Sequence, residues 1–179
     1  VEIEMKIRMA SIDDASAIGQ LHAESWRSAY ANILSVDYLA GGIDAERIEY
    51  WQNRLAKPAV NLRVLVAEDQ ESMIGFACCL LDSDTSWGSL LDNLHVSPRL
   101  KRTGIGQKIM WRMAELCQMQ AIHKGLYLWV LEPNQDAQRF YRRLGATHAD
   151  SDIWFPPGGG QVTKYRYVWP DVGILCTSQ

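Results

Sequence analysis

The feature that most constrains the fold is a change of hydrophobic period near residue 98. Upstream of it, three segments have the length and apolar content of strands: residues 61–68, 73–82 and 86–97. Downstream, apolar residues recur at helical spacing over 104–121, and residues 125–131 are apolar on both strand parities. A strand that is apolar on both sides is typical of parallel pairing after a helix. An antiparallel meander followed by a strand–helix–strand crossover predicts an α+β fold with a mixed sheet.

The remaining segments supply further helices and strands. A serine at position 11 and an acid at position 14 form a capping-box pattern before a helix whose apolar spacing continues to Ile33. The other predicted elements are a strand at 6–9, helices at 44–57 and 134–144, and two final strands around the turn at 156–160. No repeat or linker divides the chain, so we expect one domain over residues 1–179 with a loose tail at 171–179.

Composition excludes several classes of protein. The 179 residues include 18 basic and 21 acidic side chains, a formal charge of -3, which argues against coating nucleic acid through net charge. The longest apolar run, 73–81, is too short to cross a bilayer, and the first residues lack the apolar stretch of a secretion signal. We therefore expect a cytoplasmic protein with no membrane or nucleic-acid partner. The four cysteines and four histidines lack zinc-site spacing, so no metal is expected.

The segment most informative about chemistry is residues 93–106, where a strand ends and a helix begins through Gly104 and Gly106. The first amides of a helix have no partners within it, and the helix dipole is positive there, so main chain alone can bind a phosphate. Residues 93–114 also carry five basic side chains and no acid. The P-loop and dinucleotide patterns are both incomplete. The alternative is that the glycines only shape a tight turn beside a solvated basic face.

A second informative pair is Asn134 and Tyr141 in the last predicted helix. Seven residues are about two helical turns, so both side chains face the same way, roughly 10 Å apart along the axis. An extended ligand arm along this helix would meet an amide at one end and a phenol at the other. The alternative is that Asn134 caps the helix and Tyr141 packs in the core.

Together, in this order, the two segments resemble the GNAT superfamily of N-acetyltransferases. Residues 96–106, with the pattern Val-x-Pro followed by Lys-x-x-Gly-x-Gly, resemble the family's loop for the pyrophosphate of acetyl-coenzyme A. Residues 134–145 resemble its later strand-to-helix motif. The family usually has Arg or Gln at the position of Lys101 and often Gly at that of Arg102. The resemblance implies a sheet of about seven mostly antiparallel strands, with splayed parallel central strands and flanking helices.

The resemblance also implies how the coenzyme is held. Main-chain groups of Leu94 and Val96 would pair with the pantetheine arm, and amides from Arg102 to Gly106 would hold the pyrophosphate. An amide near Leu94 would polarise the thioester carbonyl. The full set of residues expected at the coenzyme is Leu94, His95, Val96, Lys101, Arg102, Thr103, Gly104, Ile105, Gly106, Gln107, Asn134, Ala137 and Tyr141. Tyr141 occupies the position of the acid that protonates the departing thiolate.

The base and the acceptor site are less defined in the sequence. Strand alternation places Asp92 on the face shared with Leu90, Leu94 and Val96, where it is a candidate base or amine anchor, or else a carboxylate at the sheet margin. His95 has the opposite parity and is interpreted as structural. The resemblance places the acceptor among the first helices and the last hairpin. Trp26, Tyr30 and Trp154 are candidates there, unless they only pack on the sheet.

These observations predict an enzyme that transfers an acetyl group from acetyl-coenzyme A to a primary amine by direct attack. The amine belongs to a small molecule or a peptide, and the sequence does not choose between them. Two alternatives stay open: a coenzyme A-binding module without turnover, and a transferase of a larger acyl group. The resemblance also makes a homodimer an option.

Overall fold

Seven strands form one mixed sheet in the part of the chain that the structure describes, residues 5–70 and 72–177 of a computed structural model. The strands are β1 (Met5–Met9), β2 (Leu62–Asp69), β3 (Ser72–Asp84), β4 (Gly88–Val96), β5 (Leu126–Leu131), β6 (Thr147–Trp154) and β7 (Val162–Trp169). Their order across the sheet is β1-β2-β3-β4-β5-β7-β6. The mixed sheet predicted from the change of period is confirmed.

The centre of the sheet holds its parallel pair, β4 and β5. Only two residues of each strand are in register, Ser89 with Leu126 and Leu90 with Tyr127. Beyond them the strands separate, while β4 stays paired with β3 and β5 with β7, both antiparallel. The predicted splayed central strands are therefore present.

Helices cover both faces of this sheet. The helices are α1 (Ala15–Ala29), α2 (Val36–Ala40), α3 (Ile43–Ala56), α4 (Ile105–Gln120), α5 (Gln135–Arg143) and α6 (Gly173–Cys176). On β2, Val64 and Val66 belong to a core with α1 and α3, whereas Leu65 and Ala67 belong to the core with α4 and α6. Alternate side chains of one strand thus enter two separate cores, because successive strand residues point to opposite faces.

The first predicted helix is shorter than its apolar pattern indicates. It ends at Ala29, and Ile33 and Leu34 lie in a turn whose amides donate to the carbonyl of Tyr30. Ser35 then caps the short helix α2 by accepting a hydrogen bond from the amide of Tyr38 at 3.2 Å. A turn that keeps Leu34 buried gives the same apolar spacing as one more helical turn, so the pattern does not separate them.

The expectation of a loose tail over 171–179 is wrong for residues 172–176. Val172 and Leu175 are buried in the core beneath α4, and α6 forms there. Residues 178 and 179 lie outside the described part. Two apolar residues three apart are too few to establish a period, and burial against α4 supplies the stability that local propensity lacks.

Candidate active site

The separation of β4 from β5 creates a cleft at the centre of the sheet. Past Leu90, the edge of β4 that faces β5 has no ladder partner among the described residues, and the same holds for β5 past Tyr127. Unpaired edge groups are able to bind an extended ligand as an added strand. The sequence-predicted residues Leu94 and Val96 both lie on this free edge.

The loop between β4 and α4 lies at the mouth of this cleft. Arg102 and Gly104 both have left-handed backbone, with φ of 65° and 84°. The hydroxyl of Thr103 donates to the carbonyl of Leu100 at 2.6 Å, which closes the loop on itself. The first backbone bond of the helix runs from the amide of Lys108 to the carbonyl of Gly104.

Six consecutive amides of this loop are therefore free. Those of residues 102–107 donate to no acceptor in the described chain. The space beside them is open, since a Cβ on Gly104 would meet nothing within 4 Å. A Cβ on Gly106 would have only ordinary contacts, 3.5 Å from Phe140 and 3.6 Å from Val96. Unpaired amides at the positive end of a sixteen-residue helix are suited to a diphosphate.

The basic side chains of the loop mostly extend into solvent. Arg99, Arg102 and Lys108 are exposed, as is Lys101, whose ammonium group donates to the hydroxyl of Ser28 on α1 at 3.3 Å. Lys101 thus joins the loop to the opposite face of the sheet. In this loop the backbone amides, rather than the side chains, are arranged to bind an anion.

Asn134 and Tyr141 lie at the two ends of α5, beside the cleft. The side-chain oxygen of Asn134 accepts a hydrogen bond from the amide of Ala137 at 3.3 Å, so the capping interpretation is confirmed. Tyr141 is 9% exposed, its ring packs against Trp169, and its hydroxyl has no partner among the described residues. Burial raises the pKa of Tyr141, so the phenol keeps its proton at neutral pH.

The face predicted for Asp92 is wrong in that Leu94 and Val96 do not share it, because β4 contains a bulge there. Leu91 pairs with Cys79 and Asn93 pairs with Cys78, which leaves Asp92 as the extra residue. Its carboxylate accepts a hydrogen bond from Arg54 of α3 at 2.7 Å. Asp92 therefore lies on the α1–α3 face. A strict two-residue alternation carried through a bulge places every later side chain on the wrong side.

The same bulge places His95 against α1. Its Nδ1 lies 2.7 Å from the hydroxyl of Ser25, and its ring lies 4.8 Å from that of His22. His22 is 2% exposed and accepts a hydrogen bond from Trp51 through its own Nδ1. Sequence reasoning assigned no partner to Ser25. The available signal was the spacing of His22 and Ser25, two polar residues one turn apart on the apolar face of the helix.

The three predicted acceptor residues are brought together. Ring centroids of Trp26 and Tyr30 are 5.7 Å apart, and Trp154 lies 6.2 Å and 6.5 Å from them. A Cβ on Gly158, in the turn between β6 and β7, would come within 2.7 Å of the Ser35 hydroxyl, so this hairpin packs closely on the start of α2. Burial raises the pKa of Tyr30 to about 12. The aromatic trio lies on the α1–α3 face, as His95 does.

In residues 5–70 and 72–177, no group of three His, Cys, Asp or Glu side chains is arranged to hold a metal ion. No helix in that part of the chain is long and apolar enough to span a membrane.

Solved structures share this fold. PaiA N-acetyltransferase from Thermoplasma acidophilum, crystallised in complex with coenzyme A, superposes with a TM-score of 0.75 at 22% identity over 92% of this chain and 98% of that one. A GCN5-related N-acetyltransferase from Rhodopseudomonas palustris gives 0.72 at 16% identity over 94% and 97%. At these identities the likeness establishes the fold.

Sequence comparison agrees with the structural likeness. The uncharacterised N-acetyltransferase YuaI of Bacillus subtilis is 26% identical over 174 residues, 96% of each chain. The profile of the GNAT acetyltransferase family matches residues 23–146, which include the cleft, the loop and α5. Because that match extends over more than half of the sequence, the protein belongs to the GNAT family of acetyltransferases.

Proposed function

We propose that the protein transfers an acetyl group from acetyl-coenzyme A to a primary amine. The observation that carries the proposal is the free edge of β4, which leads directly into the six unpaired amides of residues 102–107. One strand edge and one helix start, joined by residues 97–101, thus both offer main-chain groups. That arrangement suits a ligand with an extended amide-bearing arm and a diphosphate.

The residues present fit coenzyme A in charge and in space. Amides at the start of α4 would hold the pyrophosphate, and Leu94 and Val96 would pair with the pantetheine arm. Gly106 leaves the room that a larger side chain would occupy between Val96 and Phe140. Asn134 is engaged in capping α5, so its contribution would be to orient that helix beside the arm.

Tyr141 would act as the acid. Acetyl-coenzyme A, when bound, supplies a thioester whose carbonyl carbon an amine can attack. The departing sulfur needs a proton, and the Tyr141 hydroxyl is protonated, unpaired and at the end of the helix that borders the cleft. An amide near Leu94 would stabilise charge on the thioester oxygen.

The acceptor amine would bind on the α1–α3 face, where Trp26, Tyr30 and Trp154 meet. Asp92 lies on this face as well, but its carboxylate is held by Arg54. We therefore assign Asp92 to the margin of the acceptor site, as an anchor more than a base. A homodimer and a cytoplasmic location stay predictions.

Release of free thiol from acetyl-coenzyme A tests the proposal. The amine panel is glycine, spermidine, kanamycin and a lysine-containing peptide, each run with wild type and with Tyr141→Phe. At least one amine should stimulate thiol release by the wild type, and the variant should lose that stimulation.

Calorimetric titration with coenzyme A separates the alternatives. Coenzyme A binding without release by any amine would favour the binding module. Tighter binding and faster turnover of butyryl-coenzyme A than of acetyl-coenzyme A would favour a larger acyl group.

A further inference from the structure

His95 is a titratable side chain beside the cleft. It lies on β4 within the stretch that borders the cleft, one residue from Leu94 and one from Val96. Those two side chains pack against the α4 core, whereas the ring of His95 packs on the other face, 5.3 Å from Phe76 and 4.8 Å from His22. The side chain is half-buried. It therefore combines a position at the cleft with an orientation toward the acceptor side.

The two nitrogens of the His95 ring have different surroundings. Nδ1 shares a 2.7 Å hydrogen bond with the hydroxyl of Ser25. Nε2 has no partner among the described residues, and unlike Nε2 of His22 it is not sealed from solvent. When Nδ1 donates its hydrogen to Ser25, the lone pair of the imidazole is on Nε2. In that tautomer Ser25 holds the ring through Nδ1 and leaves Nε2 able to accept a proton.

Three other titratable groups on this face are engaged or sealed. Asp92 accepts hydrogen bonds from Arg54 and Asn93. His22 is 2% exposed, and its Nδ1 is used by Trp51. Burial raises the pKa of Cys78 to about 12, so its thiol stays protonated.

We propose that His95 accepts the proton of the attacking amine and that Ser25 is the positioning residue that holds its imidazole. The proposal rests on the proposed acetyl transfer. The amine nitrogen forms a bond to the acetyl carbon, and the bond from that carbon to sulfur breaks. The ammonium proton passes to Nε2 of His95, and the Tyr141 hydroxyl gives its proton to sulfur. Exchange with solvent returns both side chains to their starting states.

Charge near His95 couples this step to coenzyme binding. Burial first, and then the Lys101 ammonium, lower the pKa of His95 to about 4, so the free protein holds a neutral imidazole above pH 5. Among the described residues, the titratable ring that packs against His95 is that of His22 on α1, which burial keeps uncharged. A diphosphate at the start of α4 would offset the charge of Lys101. The pKa of His95 would then rise, and the imidazole would become a stronger base only when coenzyme is present.

Nitrogen NMR of ¹⁵N-histidine-labelled protein tests the state of His95 without any acceptor. The expected result is a neutral ring with hydrogen on Nδ1, and a pKa that rises when coenzyme A is added. Ser25→Ala should mix the two tautomers, whereas Ser25→Thr, which keeps the hydroxyl, should preserve the wild-type signal. Hydrogen on Nε2 in the wild type, or an unchanged tautomer in Ser25→Ala, would overturn the proposal.

Kinetics with the most active amine of the panel tests the role itself. His95→Gln should lower kcat by about 100-fold, the scale of general base catalysis, with KM for acetyl-coenzyme A unchanged. The control is His123→Gln, at an exposed histidine remote from the cleft, which should keep wild-type rates. Full activity of a folded His95→Gln variant would refute the assignment of His95 as the base. If the NMR spectra are as expected but no amine is acetylated, the proposed acetyl transfer is wrong, whereas the described geometry of His95 is not contradicted.

Discussion

The two faces of the sheet form their sites from different parts of the chain. On the α4 face, the groups suited to bind a ligand are peptide amides of six consecutive residues, 102–107. On the α1–α3 face, they are side chains brought together from separate elements, such as His95, Ser25 and Trp154. A main-chain site depends on local backbone conformation, whereas a side-chain site depends on how distant segments pack. The first is therefore visible in a short motif and the second is not.

The cores beneath the two faces both combine apolar packing with buried polar groups. Beneath α4 the buried residues include the apolar side chains of Ile109, Met113 and Leu175, together with the hydroxyl groups of Ser89 and Tyr167. Beneath α1 and α3 the core contains buried polar groups as well, including the hydrogen bond from Trp51 to His22. That hydrogen bond joins α3 to α1, which restricts the packing that the two helices can adopt.

The largest expected effect breaks the main-chain site. Gly104→Val should weaken coenzyme A binding by about 1000-fold, because a branched residue disfavours φ of 84° and fills the space where the anion would lie. The estimate assumes the loss of two charge-assisted hydrogen bonds of about 2 kcal/mol each. Calorimetric titration with coenzyme A measures it.

Gly159→Val is the matched control. Gly159 also has left-handed backbone, with φ of 96°, and open space around its Cβ, but it lies in the turn between β6 and β7. Gly159→Val should lose about as much stability as Gly104→Val and should keep the wild-type affinity for coenzyme A. Equal affinity losses in both variants would mean that strain alone, and not the loop, accounts for the effect.

The sequence predicted the α4 face closely. The glycines, the helix that follows them and the doubly apolar β5 all show in short-range patterns, and the structure has them at the expected residues. The cap that Asn134 forms on α5 was the alternative left open beside its expected place at the coenzyme. Each of these features is determined by residues within a few positions of one another.

The sequence did not predict the features that depend on packing. The alternation of β4 does not reveal the bulge at Asp92, since Leu90 and Leu91 are both apolar and Asp92 and Asn93 are both polar. The partner of Asp92 is Arg54, 38 positions away, and the partner of His95 is Ser25, 70 positions away. Helix α6 depends on burial of Leu175 rather than on propensity. Single-sequence patterns contain no information on such distant contacts.

The second prediction sharpens the assignment of the acid. Tyr141→Phe should lower kcat by about 100-fold and leave coenzyme A affinity unchanged, because only a proton donor is removed. Its hydroxyl has no partner in the described chain, so the stability of the variant should equal that of the wild type. Thiol release and thermal unfolding measure the two effects.

Tyr167→Phe is the control for the second prediction. Its hydroxyl is buried without a hydrogen-bond partner in the described chain, and it is not part of the proposed chemistry. That variant should keep full activity and gain up to about 1 kcal/mol of stability. An active Tyr141→Phe would exclude Tyr141 as the acid.

The third prediction concerns the apolar packing of the α4 face. Leu175→Ala should lower the free energy of unfolding by about 2–3 kcal/mol, because the side chain is 1% exposed in the core beneath α4. Coenzyme A affinity should not change, since α6 contacts the end of α4 remote from the loop. Ile122→Ala, at a residue 87% exposed, is the control. A loss below about 0.5 kcal/mol in urea denaturation would mean that the tail contributes nothing to this face.

The smallest expected effect tests whether the α1–α3 face depends on ion pairs. Asp14, just before α1, accepts two 2.8 Å hydrogen bonds from Arg8 of β1 and one of 2.7 Å from the amide of Ser11. The Arg8 guanidinium holds the pKa of Asp14 below its usual value of 3.8. The stabilisation is therefore complete above pH 4 and is lost as the pH falls through the lowered pKa. Asp14→Asn should be less stable than the wild type by about 1 kcal/mol at pH 7.

The pH dependence of this difference identifies its cause. As the pH falls below 4, the wild type should approach Asp14→Asn in urea denaturation, because protonation removes the same charge that the substitution removes. Asp13→Asn, at the exposed neighbouring residue, should match the wild type at pH 7. A difference that stays constant with pH would assign the effect to packing. Packing contacts rather than charge would then stabilise the start of α1, as they stabilise the α4 face. The two faces would then differ only in their sites.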